Sequence, residues 1–233
     1  MNITLKALSV LLSYPTPELK VEAGSIAAGV SADGRLNKTV IDALQPLFAS
    51  LQNDDIYDLQ ERFVALFDRS RTLSLNLFEH VHGESRDRGG AMVSLLETYR
   101  DGGFEPVTSE LPDHLPVLLE YLSIRPDTEA RAVLADASHI LAALAERLAR
   151  RESPYRAVFA ALMQLAGVQA DSAAVAELLE QPDDDPDDLE ALDEVWEESE
   201  VVFGPDPNAG CPQVRDMLAR MNEPISSTPY AAE

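Results

Sequence analysis

The sequence contains a single cysteine, Cys211, among its 233 residues. One thiol excludes a disulfide within the chain. It also excludes a zinc or iron–sulfur site built from the cysteines of one chain. This use of cysteine indicates a reducing compartment.

Basic residues are scarce. The chain has 18 Lys and Arg against 41 Asp and Glu, which gives a formal net charge of −23 and a pI near 4.4. Nucleic-acid binding requires clustered Lys and Arg facing the phosphates, so we predict no nucleic-acid partner. A surface this acidic would instead attract a basic partner.

Long hydrophobic runs are also missing, since none approaches the roughly 18 residues that a membrane-spanning helix needs. We therefore predict no stable membrane insertion. The apolar start, Met1–Leu12, has one Lys and no small-residue cleavage pattern before the Pro-rich turn at Tyr14–Pro17. It is interpreted as the first core helix and not as a signal peptide.

Aromatic residues make up only 6% of the chain and β-branched residues are few, whereas Leu and Ala are abundant. This composition favours helix over sheet. Apolar residues recur at spacings of three and four, as in Ile56–Phe67, and nothing alternates with period two. The predicted fold class is all-α, with a helical body at residues 1–170 and an acidic C-terminal segment at residues 171–233.

Start and stop signals place the individual helices of the body. The predicted helices are Pro17 to near Gly29, one capped by Asn37, one starting at Asp54 or Asp55, Ala91–Asp101, one capped by Asp113, a long helix from Asp127 to Arg151, and one from Ser153–Pro154 to Gly167.

The C-terminal segment differs in charge from the body. No basic residue lies between Arg156 and Arg215, and Glu177–Glu200 contains thirteen acidic residues. Repulsion of this kind favours disorder. Four apolar residues nevertheless keep a helical spacing, so we predict one or two weakly held helices and a flexible tail; these residues are Leu189, Leu192, Trp196 and Phe203.

Signatures of catalysis are missing. There is no Gly-x-Ser-x-Gly motif, and Gly89–Gly90 lacks the ending of a phosphate loop. His80 and His82 are about 200° apart on a helix, so they cannot share a metal ion unless the helix breaks. We predict neither an enzyme nor a metal site. A metal-dependent hydrolase using His80, His82, His114 and Glu84 is kept as an alternative.

A run of polar residues from His80 to Arg88 separates two apolar helical patterns and is bounded by Gly83 and Gly89–Gly90. Buried polar groups cost free energy unless they are paired. The run is therefore either a working surface or a satisfied internal network. Its charged members balance in sign, and both interpretations stay open.

Several segments together resemble the NarJ family, the cytoplasmic assembly chaperones of membrane-bound respiratory nitrate reductase. The wider TorD-like group shares the Pro-Asp-His element and an all-helical fold. The matching segments are Leu66–Arg69, Leu73–Leu75, Leu77–Gly89, Ala91–Met92, Leu111–Leu122, Leu192–Glu198 and Val202–Gly204.

The resemblance implies a cytoplasmic chaperone that binds the catalytic (alpha) subunit of apo-nitrate reductase, including its N-terminal peptide. It implies help with molybdenum cofactor insertion and iron–sulfur completion before the enzyme docks on its membrane anchor. Molybdenum cofactor delivery proteins are further expected partners, and the chaperone carries no cofactor of its own. The alternatives are a TorD-type chaperone for another molybdoenzyme and a purely structural subunit of the mature complex.

The residues expected to bind the client, or to form the motif that does so, come from the two polar blocks of the resemblance. They are His80, His82, Glu84, Ser85, Arg86, Asp87, Arg88, Asp113, His114, Leu115, Glu120 and Tyr121.

Overall fold

The computed structural model describes residues 1–82 and 86–182, without the side chains of His82 and Arg86. These residues contain no β-strand, only an isolated antiparallel bridge between Asn76 and His114. The all-helical prediction is therefore confirmed. None of the described helices is both long and apolar enough to cross a membrane.

Eleven α-helices are described, and two short helical turns connect the fourth to the fifth. A π-helical turn, Val64–Asp68, continues α4, and a 3₁₀ turn, Arg71–Leu73, follows it. The α-helices are α1 Ile3–Leu11, α2 Pro17–Asp33, α3 Lys38–Asn53, α4 Ile56–Phe63, α5 Leu77–His82, α6 Arg86–Asp101, α7 Leu115–Ser123, α8 Asp127–Asp136, α9 Ser138–Arg150, α10 Arg156–Ala166 and α11 Ser172–Glu180.

Helix α1 lies in the core, as its apolar pattern predicts. It packs against α2 and α7, and its Leu5, Leu8 and Leu11 are at most 1% exposed. The side chain of Asn2 caps it by accepting a hydrogen bond from the Leu5 N–H at 3.0 Å. Burial contributes about 1.5–3 kcal/mol for each of these leucine side chains, which holds the apolar face of α1 in the core.

The local helix signals are correct at several ends. Asn37 and Asp55 cap α3 and α4 through their side-chain oxygens. Gly167 ends α10 in the left-handed conformation, with φ +68°. Helix α2 continues beyond Gly29, because Val30 is still buried, and stops at Gly34, where φ is +69°.

The predicted long helix from Asp127 to Arg151 is wrong. The chain breaks at Ala137 into α8 and α9, and Pro126, not Asp127, occupies the cap position of α8. Both helices pack against α10, which has 11 residues. A straight helix of 24 residues would extend about 36 Å, more than twice the length of α10. The break lets both halves bury their apolar faces on the same helix.

Helix α11 packs against α9 near the end of the described chain. Arg147 of α9 is 2% exposed, and its Nη2 donates to the carbonyl oxygens of Leu178 at 2.6 Å and Gln181 at 3.0 Å. These bonds satisfy carbonyls that the end of a helix leaves free. The predicted helix with Leu189 and Trp196 lies outside the described residues.

Candidate functional site

The bridge between Asn76 and His114 brings together two distant segments of the sequence. The Leu77 N–H donates to the Asp113 carbonyl at 3.1 Å, and the Leu115 N–H donates to the Leu75 carbonyl at 2.8 Å. The start of α5 and the start of α7 are therefore held side by side. The two polar blocks of the sequence meet here.

Asp113 is the residue that fixes this junction. Its side chain is 0% exposed, and its Oδ2 accepts a hydrogen bond from the Phe78 N–H at 3.0 Å. With its backbone carbonyl on the Leu77 N–H, Asp113 takes two of the free N–H groups at the start of α5. A carboxylate in this position is stabilised by the positive end of the helix dipole.

The prediction that Asp113 caps its own helix is therefore wrong. Helix α7 starts at Leu115 with His114 in the cap position, and no side chain bonds its first turn. Asp113 instead caps α5, a helix that precedes it by about 35 residues. The local spacing of Asp113 and Pro116 fits a cap signature, but a long-range contact decides where the carboxylate binds.

Arg88, on the first turns of α6, lies on the other side of the Asp113 carboxylate. Its Nη2 is 4.0 Å from Asp113 Oδ2, and 20% of its side chain is exposed. Its neighbour Asp87 is exposed. One charged residue of the polar run thus faces inward and the other faces solvent.

His80 takes part in a second set of polar contacts at the start of α5. Its Nε2 lies 2.8 Å from the Ser74 carbonyl, which can only accept, so Nε2 carries the proton. The Ser74 hydroxyl donates to Glu79 Oε2 at 2.6 Å. Burial lowers the pKa of His80, and the bond to Ser74 partly opposes that shift. A neutral imidazole ring that donates to a backbone carbonyl fits the interpretation of the polar run as an internal hydrogen-bond network.

His114 lies between two cavities. It lines a small one of about 90 Å³ together with Asp68 and Glu110, and a larger one of about 480 Å³ together with Glu110 and Glu120. Burial lowers the pKa of His114, while the nearby carboxylates oppose this. Burial also raises the pKa of Asp68, and the charge of Glu110 adds to that effect.

The larger cavity combines apolar walls with acidic side chains, and we call it the acidic cavity. Helix α1 and the turn after it form one side, and the segment between α6 and α7 together with the start of α7 forms the other. Val107 on this segment is fully exposed. The lining residues are Ser9, Ser13, Tyr14, Phe104, Glu105, Pro106, Val107, Thr108, Glu110, His114, Pro116, Val117 and Glu120.

An aromatic cluster supports the wall of the acidic cavity from within. The rings of Tyr99 and Tyr121 have centroids 4.8 Å apart, and Phe104, which lines the cavity, packs on both. The Tyr99 hydroxyl donates to the Pro112 carbonyl at 2.7 Å. Burial raises the pKa of Tyr99. This cluster ties the loop that carries Phe104 to the segment that carries Asp113.

The structure thus separates the twelve expected site residues. Asp113, Arg88 and His80 lie around the start of α5, whereas His114 and Glu120 line the acidic cavity. Leu115 and Tyr121 are buried in the core. The remaining ones are Asp87, which is exposed, Glu84 and Ser85, which lie outside the described residues, and His82 and Arg86, whose side chains are not described.

Several cavity residues were missed from the sequence. Tyr14 lies in the turn after α1, and Phe104 and Val107 lie in the loop after α6, with no shared period to connect the two segments. The only available signal was a cluster of apolar residues in the loop from 103 to 111, where solvated polar residues are usual. Such a pattern indicates a binding loop, but not its partner on α1.

The chemistry of the site favours binding. Among the described residues, no group of three His, Cys, Asp or Glu side chains is placed to hold a metal ion. The acidic cavity offers apolar surface and the carboxylates of Glu105, Glu110 and Glu120, the last paired with Lys6. This combination suits a segment that presents apolar side chains next to basic ones.

Comparison with known proteins gives consistent similarities. A family model described as nitrate reductase delta subunit matches residues 33–161. The chain is 45% identical over 210 residues to the nitrate reductase molybdenum cofactor assembly chaperone NarJ of Escherichia coli K12, covering 89% of this chain and 88% of that protein. It is 42% identical over 207 residues to the probable chaperone of the same kind, NarW, of that strain, covering 89% and 86%.

A solved structure shows the same fold. It is a candidate redox enzyme maturation protein from Archaeoglobus fulgidus, with a TM-score of 0.53 and 24% identity. The match covers 72% of this chain and 94% of that one.

Proposed function

Because the chain belongs to the NarJ family, whose members are cofactor-assembly chaperones and not catalytic enzymes, we propose that it is the assembly chaperone of a nitrate reductase. Its proposed task is to bind the catalytic subunit of the apo-enzyme and to promote molybdenum cofactor insertion. The observation that carries the proposal is the 45% identity to NarJ over most of both chains.

The proposal includes a place for the client. We assign the N-terminal peptide of the catalytic subunit to the acidic cavity, where Phe104, Val107 and Val117 provide apolar surface and Glu105 and Glu110 provide charge. Binding here would leave the junction around Asp113 intact. The client segment is expected to be amphipathic, with basic residues beside its apolar face.

Apolar contacts should supply most of the affinity. Micromolar binding requires about −8 kcal/mol. Exposed ion pairs contribute about 0.2–1 kcal/mol each, whereas burying a Leu or Phe side chain contributes about 1.5–3 kcal/mol before ordering costs. The carboxylates of the cavity would then select basic partners and speed their encounter.

Titration of the full chain with the N-terminal peptide of the catalytic subunit tests whether this peptide binds in the acidic cavity. Val107 is fully exposed, so Val107→Ser should leave the free energy of unfolding unchanged. If the client covers it, binding should weaken about tenfold, since burial of a valine contributes about 1.5 kcal/mol. Val21, on α2 and 78% exposed, gives the matched control Val21→Ser.

The two outcomes have different consequences. If the peptide binds Val107→Ser as tightly as it binds the unmodified chain, the client does not bind in the acidic cavity. The proposal that the chain is a chaperone would then still stand. Absence of any binding by the unmodified chain would contradict the proposal that this peptide is the client segment.

The later steps are part of the same proposal. We propose that the chain acts in the cytoplasm before the enzyme docks on its membrane anchor and is not part of the finished enzyme, with cofactor delivery proteins as further partners. The alternatives, a TorD-type chaperone for another molybdoenzyme and a hydrolase, are not favoured, since the named relatives are nitrate reductase chaperones.

A further inference from the structure

An ion pair lies at one end of the acidic cavity. The ammonium group of Lys6, on α1, contacts the carboxylate of Glu120, on α7. Ser9 follows Lys6 by three residues and shares its helix face, and Val117 precedes Glu120 by three residues and shares that face. Ser9, Val117 and Glu120 all line the cavity. Lys6 is therefore placed beside the cavity and against one of its carboxylates.

The other two glutamates of the cavity carry no such cation. Within residues 1–82 and 86–182, neither Glu105 nor Glu110 forms an ion pair, and both are exposed. The described residues that line the cavity include no Lys or Arg. A client with basic side chains would thus meet two unpaired carboxylates and a third that Lys6 already holds.

The fold does not depend on this ion pair. The side chains of Lys6 and Glu120 are 42% and 45% exposed, and pairs this exposed contribute little to stability. Other contacts join α1 to α7: Leu8 is fully buried, and the Ser9 hydroxyl donates to the Pro116 carbonyl at 2.7 Å. Because water reaches both charged groups, the pair can exchange partners without disturbing the two helices.

We propose that Lys6 is a specificity-determining residue, which holds the Glu120 carboxylate until a basic side chain of the client replaces it. This inference rests on the proposed binding of the client in the acidic cavity. A segment without a basic residue at this end gains nothing from Glu120, because the carboxylate stays with Lys6. A basic segment must break the existing pair first, which restricts binding to segments whose apolar side chains also fit.

The affinity of the full chain for the N-terminal peptide of the catalytic subunit tests the exchange. Lys6→Met removes the competing cation, so the dissociation constant should fall about two- to fivefold, the range that one exposed ion pair contributes. Lys38→Met is the matched control, because Lys38 is exposed and pairs with Asp42 on α3, and it should leave the dissociation constant unchanged. If Lys6 instead held the cavity in shape, Lys6→Met would weaken binding.

The effect of Lys6 must depend on Glu120. Glu120→Gln removes both the pair that breaks and the pair that forms, so adding Lys6→Met to it should no longer tighten binding. An equal gain from Lys6→Met with and without Glu120→Gln would mean that the lysine acts through net charge alone, and this result would overturn the proposal.

NMR spectroscopy of the lysine side chains observes the release of Lys6 directly. The chain has only three lysines, Lys6, Lys20 and Lys38, so their ammonium signals can be assigned by substitution. Saturation with the peptide should move the Lys6 signal to the position that it has in the free Glu120→Gln variant, and should leave the Lys38 signal in place. A Lys6 signal that keeps its ion-paired position in the complex would contradict the exchange.

The outcomes separate this inference from the proposed function. If the peptide binds the unmodified chain but binds Lys6→Met no more tightly, the exchange is refuted and the chaperone proposal stands. If the peptide does not bind the unmodified chain, the client segment and the exchange are refuted together.

Discussion

Replacing Asp113 by alanine and by asparagine separates the two roles that the structure gives to its side chain. The carboxylate caps α5 through the Phe78 N–H at 3.0 Å, and it faces Arg88 at 4.0 Å. Alanine removes both interactions. Asparagine keeps an oxygen that can accept from Phe78 and removes only the charge.

The expected magnitudes follow from burial and geometry. Asp113→Ala should lower the free energy of unfolding by about 2–3 kcal/mol, because it removes a charge-assisted hydrogen bond made by a fully buried carboxylate. Asp113→Asn should cost about 1 kcal/mol, since the cap survives. Arg88→Ala should cost less than about 1 kcal/mol, because the pair is long and Arg88 is partly exposed.

Urea denaturation followed by circular dichroism measures these values. The order of the three variants is the informative result, with alanine at 113 the least stable. If Asp113→Asn were as unstable as Asp113→Ala, the charge facing Arg88 would matter more than the cap. If Asp113→Ala had no effect, the account of this junction would be refuted.

Three further predictions concern pH, packing and salt. Burial lowers the pKa of His80 in the folded chain, so as the pH falls the unfolded chain takes up this proton at a higher pH than the folded chain does. The free energy of unfolding should therefore decrease as the pH drops below about 6.5. His80→Gln should make this decrease with pH smaller, as measured by urea denaturation at a series of pH values. A methyl group on Gly102 would lie 2.6 Å from the Tyr121 ring, so Gly102→Ala should lower the free energy of unfolding by about 1–3 kcal/mol. Gly89 lies within α6 with open space around its Cα, so Gly89→Ala should raise the free energy of unfolding by up to about 1 kcal/mol in the same assay. In stopped-flow binding of a basic client peptide, raising salt from 0.05 to 0.2 M should slow association far more than it speeds dissociation; a salt-independent association rate would remove electrostatic steering.

Local features of the sequence predicted much of the helical framework. The caps at Asn37 and Asp55 and the stop at Gly167 each depend on neighbouring residues alone. The apolar pattern of α1 likewise identified a core helix, because buried leucines at helical spacing need no knowledge of their partners.

Other features depend on contacts that a local pattern does not contain. The break at Ala137 follows from the packing of α8 and α9 on α10. Asp113 binds α5 because the bridge between Asn76 and His114 places it there. The acidic cavity needs α1 and the segment from 103 to 111 to come together, and the sequence gives no sign of that pairing.

The molybdenum content of nitrate reductase tests the central proposal most directly. Cells that lack this chain would be complemented with the unmodified chain, with Val107→Ser, or with Val21→Ser, and the enzyme would then be purified and its molybdenum measured. The proposal predicts little molybdenum without the chain, full recovery with the unmodified chain and with Val21→Ser, and partial recovery with Val107→Ser. Full molybdenum in the enzyme from cells without the chain would contradict it.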